Sequence, residues 1–158
     1  MANKRLYVSG LDDLEKQLIS LGAETGVKTL RSAGRKAMEP VQISAAIGAG
    51  EDSGDLRQAI VISSSKPRRG RSRAVDIHVG ATKKSVTETA GDGSKSRRKL
   101  SHVIHAAIAQ EYGTSKQQAD PFLRPALLLN YDRVLVTFKA ELAKAIKRAI
   151  KRQSRTKK

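Results

Sequence analysis

Residues 111–126, EYGTSKQQADPFLRPA, constrain the fold more than any other stretch of this chain. Gly113 stops the preceding element, because glycine adopts backbone angles that its neighbours Tyr112 and Thr114 do not. Asp120 and Pro121 restart the chain as a helix. Aspartate is a good N-cap, and proline suits the first helical position, where its missing N–H would lack an intrahelical acceptor anyway. Phe122 and Leu123 follow as apolar anchors beside Arg124, and Pro125 still lies in the tolerated first turn. Beyond it Leu135, Phe138, Leu142, Ile146 and Ala149 form one apolar stripe, so a long helix is expected over residues 121–152. The stretch predicts a rigid corner that presents a polar loop and an arginine.

Upstream, residues 4–8 read as a short strand and Ser9 as the cap of a helix with Asp12 and Asp13 in its first turn, where the helix dipole favours acids. Leu11, Leu14, Leu18 and Leu21 recur at helical spacing, and Gly22 ends that helix. A second helix is expected over residues 25–47, kinked or broken at Pro40, since an interior proline costs ~3 kcal/mol. Residues 54–59 read as a helical turn feeding a strand at 60–64. Residues 74–80 alternate, with Val75, Ile77 and Val79 on one face and Asp76 and His78 on the other, which predicts a half-buried strand. These two strands form a hairpin with a long basic tip. Residues 102–112 read as a further strand. The fold class is therefore α+β: a small, mainly antiparallel sheet with packed helices and a long C-terminal helix. Residues 1–152 are expected as a single domain with mobile basic loops at 66–73 and 81–100, followed by a basic tail at 153–158.

Aromatic residues are only 3% of the chain, so its core must be built largely from Leu, Ile, Val and Ala. A net charge of +16 attracts polyanions, with nucleic acid the leading partner class and an acidic protein surface the second. There is no cysteine, which rules out disulfides and thiolate metal sites. The opening MANKRLYVSG lacks the apolar core of a signal peptide, and no apolar run approaches the ~20 residues that span a bilayer. Synthesis in the cytoplasm and no membrane partner are expected.

The run EYGTSK followed by PFLRPA resembles the signature of the small neck and tail-completion (head–tail joining) proteins of long-tailed double-stranded DNA bacteriophages. Gly10 and Leu11 followed by Leu14, Leu18 and Leu21 are similar to the family's opening helix. Residues 53–60, SGDLRQAI, are similar to its "(T/S)GxLRxSI" segment, with Ala59 where serine is more usual. The three pieces keep the family's order and span residues 9–150. The resemblance implies a structural virion protein, a homo-oligomer in a hexameric ring. It would lie between the tail tube or tail terminator and the head-completion proteins, made in the host cytoplasm and retained in the virion neck. It further implies a subunit interface built from Tyr112, Thr114, Ser115, Lys116, Phe122, Leu123 and Arg124. It says little about the basic inserts or the basic C-terminus.

Other chemistry is sparse. His102 and His105, read on a strand, point to opposite faces, and no cysteine or acid cluster completes a metal site. Ser53, Asp55, Glu111 and Asp120 each have a structural role as loop, cap or turn, and no phosphate-binding glycine loop opens a helix. No enzyme activity and no cofactor are expected. The basic residues, by contrast, cluster. Lys66, Arg68, Arg69, Arg71 and Arg73 crowd the hairpin tip; Lys95, Arg97, Arg98 and Lys99 crowd the next loop. Lys147, Arg148, Lys151 and Arg152 load the end of the last helix. Helix-dipole complementarity explains a few of these charges but not three clusters. The first and last clusters are expected to contact duplex DNA phosphates without sequence preference, since few aromatics lie among them for base stacking. The rival reading is a free, non-specific nucleic-acid-binding protein acting outside any particle.

Overall fold

A computed structural model describes residues 11–50, 54–65, 75–82, 85–89, 95–99 and 102–156. The chain is α+β and mostly helical. The elements run α1 (Leu11–Ser20), α2 (Ala23–Ala37), α3 (Glu39–Gly48), α4 (Asp55–Ala59), β1 (Ile60–Ser64) and β2 (Ile77–Ala81). They continue with β3 (Ser85–Thr89), β4 (Lys95–Lys99), α5 (Val103–Tyr112) and α6 (Leu123–Thr156). They form two compact units, one from Met1–Ala37, Ser64–Ile77 and Asp132–Lys158, the other from Met38–Ser63 and His78–Tyr131.

In the first unit the leucine stripe of α1 packs as its spacing predicts. Leu21, Ala33, Leu142 and Ile146 form a buried cluster, with Leu14, Leu18, Leu30, Phe138 and Ala149 packed against it. Gly22, at φ 81°, turns the chain between α1 and α2 in a conformation that costs a residue with a Cβ. The expected second helix is two helices. The first stops at Ala37, and the second begins at Glu39 with Pro40 in its first turn, where no intrahelical N–H is needed.

In the second unit α4 leads directly into β1, as read from the sequence. β1 pairs with β2, and Thr82 donates its N–H to the Ala59 carbonyl at 3.0 Å. β2 starts three residues later than the alternation suggests. β3 and β4 form a second antiparallel pair, Ser85 opposite Lys99 and Thr89 opposite Lys95. The loop expected over 81–100 is corrected for these ten residues. Their Ser, Thr and Lys content hides a β-branched run, Val86-Thr87 and Thr89, that suits a strand.

Two further expectations are corrected. Residues 103–112 are helix α5, not a strand. Its buried positions Val103, Ala107, Gln110 and Glu111 recur every three to four residues, and its alanines are the strongest helix formers. The last helix begins at Leu123 and runs to Thr156, so most of the expected tail is helical. Within it the Gln153 amide donates to the Leu21 carbonyl at 3.2 Å. The strand at 4–8, the Ser9 cap, Ser53, the hairpin tip at 66–73 and Lys158 lie outside the described residues.

Candidate functional site

The corner at residues 111–126 is organised by Glu111, the penultimate residue of α5. Its side chain is 5% exposed. Its carboxylate accepts the backbone N–H groups of Phe122 and Leu123 at 2.9 Å each and that of Arg124 at 3.3 Å. These are donors at the start of α6 that have no intrahelical acceptor. The cap assigned from sequence to Asp120 thus belongs to Glu111, reaching in from the preceding helix. Asp120 instead donates its backbone N–H to the Gln110 carbonyl at 2.8 Å.

Arg124 closes the arrangement. Its Nε donates to Glu111 Oε1 at 2.7 Å and its Nη2 to the Glu111 carbonyl at 2.8 Å. Its guanidinium also stands 5.1 Å from the centroid of the Tyr112 ring, a cation–π distance. Burial pushes the Glu111 carboxyl up. The Arg124 hydrogen bond and the three backbone N–H groups outweigh that and hold it below its ordinary value.

The connecting loop is equally fixed. Gly113 donates to the Ala109 carbonyl at 2.8 Å and has φ 77° and ψ 176°, a glycine conformation. Thr114 and Gln117 bridge through an N–H···O bond of 2.8 Å, and the Lys116 N–H reaches the Thr114 hydroxyl at 3.2 Å. Thr114, Ser115 and Lys116 are all exposed on this small ring of backbone. Beside it Gln110 spans the end of α3: its amide donates to the Gly48 carbonyl at 3.0 Å and accepts the Gly50 N–H at 3.1 Å.

Of the seven interface residues read from the motif, Tyr112 and Arg124 meet at Glu111, and the three loop residues stand next to them. Phe122 lies in the core, 3% exposed. Leu123 is half-buried. The sequence reading undervalued Glu111 and did not find Gln110. The available signal was an acid and an amide immediately before the helix-stopping Tyr-Gly pair.

Of the basic candidates, Lys66, Arg68, Arg69, Arg71 and Arg73 lie outside the described residues. Lys147, Arg148, Lys151 and Arg152 are exposed on two adjacent stripes of α6. Upstream, Glu141 takes Lys144 at 3.0 Å, Lys36 at 3.3 Å and Arg148 at 4.0 Å. Hydrogen bonds from Lys144 and Lys36 hold its carboxyl below the ordinary value. His102 and His105 sit at the start of α5, both exposed, and His102 Nε2 lies 3.4 Å from the buried Asp55 carboxylate. Their expected placement on opposite strand faces is corrected with the strand itself. Among the described residues no group of three potential ligands could hold a metal ion, and no helix is long and apolar enough to cross a membrane. No family model matches the chain, and no curated protein or solved structure matches it.

Proposed function

We propose that this chain is a structural virion protein: a ring-forming component of the neck that joins a phage tail to its head and contacts DNA in the channel without sequence preference. The observation that carries the reading is the meeting of the motif's residues at one place. Arg124 meets both Glu111 and Tyr112, and the loop Thr114–Lys116 that follows them is exposed and held by its own hydrogen bonds. A motif whose carboxylate is taken up by three backbone N–H groups and Arg124 fits a presenting corner better than a reaction centre.

A second feature agrees with assembly. Leu127, Leu128 and Leu129, consecutive in α6, are 45%, 76% and 82% exposed. Large apolar side chains left in water favour a covering partner when they group. In a head-to-tail ring each subunit needs two different surfaces. The corner supplies one, facing a neighbouring subunit or the next ring, and the apolar start of α6 supplies the other.

The test is electron microscopy of the purified protein with and without duplex DNA. Closed rings with a central channel are expected. Separate monomers that merely coat DNA would favour a free nucleic-acid-binding protein.

A further inference from the structure

Within the first unit, α2 and the C-terminal half of α6 face each other across an open groove of about 750 Å³. The two walls carry the same spacing. Thr25, Lys28, Thr29 and Ser32 line it from α2; Ala145, Arg148, Ala149 and Arg152 line it from α6. Positions i, i+3, i+4 and i+7 share one helix face, so each helix turns a single stripe inward. The small side chains on both stripes leave the floor unfilled. The long side chains on the two stripes, Lys28, Arg148 and Arg152, are cationic; Ser20 and Gln153 complete the lining, which holds no acid.

We propose that this groove is a binding site for the sugar-phosphate backbone of duplex DNA, holding one strand between Lys28, Arg148 and Arg152. The proposal rests on the DNA-contact part of the reading above and gives it a location. Arg148 and Arg152 stand about 6 Å apart along α6, and Lys28 faces them from α2. Cations spread over both walls suit a chain of phosphates, whereas a free phosphate ion would occupy a fraction of the groove. Lys28 and Arg148 make exposed contacts inside the protein, Lys28 with Glu24 and Arg148 with the Lys144 carbonyl. The Lys28 and Glu24 side chains that pair are 70% and 84% exposed, and Arg148 stands 4.0 Å from Glu141. An exposed pair such as Lys28–Glu24 contributes little, and at 4.0 Å Arg148 is too far from Glu141 to hydrogen-bond it. Lys147 and Lys151 belong to the same helix but do not line the groove, which makes them an internal control.

The experiment is anisotropy of the full chain with unrelated duplexes across a salt series. The variants are Lys28→Gln with Arg148→Gln, Lys147→Gln with Lys151→Gln, and Ser32→Glu. Both pairs remove the same charge. Two lost phosphate contacts should flatten the logarithmic salt slope by about 1.8 and weaken binding about 60-fold at ~0.1 M salt. That full loss is expected for the groove pair, while the control pair, whose lysines the sequence also places in the basic cluster, should lose clearly less. Ser32→Glu should weaken binding although it removes no cation, and all variants should keep the wild-type melting temperature.

Equal losses in the two pairs would overturn the groove in favour of a diffuse basic field. So would full displacement of the duplex by millimolar inorganic phosphate at constant ionic strength, which would mean a small-anion site. No duplex binding at low salt also overturns it and points to an acidic protein partner. Native mass on the same samples separates the two ideas. A ring without groove-dependent binding sinks only the groove; groove-dependent binding without a ring sinks only the ring.

Discussion

Arg124 holds Glu111 by both its side chain and its backbone: Nε meets the carboxylate at 2.7 Å while Nη2 meets the carbonyl at 2.8 Å. The carbonyl belongs to the last turn of α5 and the carboxylate caps the first turn of α6. One guanidinium therefore fixes the angle between two helices and the loop that joins them.

Replacing Glu111 with Gln should destabilise the fold by about 1.5–3 kcal/mol, the range for hydrogen bonds to a charged group. Arg124 is 58% exposed and stays hydrated, so the larger penalty of an orphaned buried charge does not apply. Chemical denaturation measures the loss.

The same carboxylate predicts a pH dependence. Its folded value lies below its unfolded one, so between the two the unfolded chain binds more protons and stability rises with pH. The contribution is complete above the ordinary glutamate value and is lost as pH falls through the folded value. Glu141 has the same sign, so the comparison must be made against Glu111→Gln. The wild-type melting temperature should fall more steeply on acidification than the variant's. Parallel curves would remove Glu111 from the account.

Arg124→Lys should cost about 1 kcal/mol, because an ammonium cannot make the carboxylate and carbonyl contacts in the guanidinium's fixed geometry. An unchanged denaturation midpoint would show that charge alone suffices.

Gly113→Ala should cost about 1–3 kcal/mol from backbone strain, with a steric cost on top. The added Cβ would stand 2.9 Å from the Ala119 nitrogen and 3.0 Å from the Gln117 oxygen, both backbone atoms with no side-chain freedom to yield. Phe122→Ala should cost about 3–5 kcal/mol, since Phe122 is buried against Gly48. A variant of either kind that melts like the wild type would contradict the rigid corner.

Much of this architecture was legible because its signals are local. The α6 stripe is correct at Leu142 and Ile146, which are 4% and 0% exposed, and Pro40 marks the α2–α3 break to within two residues. What was misread depends on distant partners. The start of α6 is set by Glu111, more than ten residues upstream, and no helix-cap pattern reaches that far. The ten residues VIHAAIAQEY support either a strand or a helix until Gln110 and Glu111 acquire partners at Gly48 and Phe122. The β3–β4 pair carries too few apolar residues for its period to show.

The most direct test of the ring is the native mass of the purified protein across a range of concentrations. The account predicts a discrete species of six copies of the 17.1 kDa chain, lost when Thr114, Ser115 and Lys116 are changed together without loss of folding. Only monomers or dimers at every concentration, with or without DNA, would contradict it.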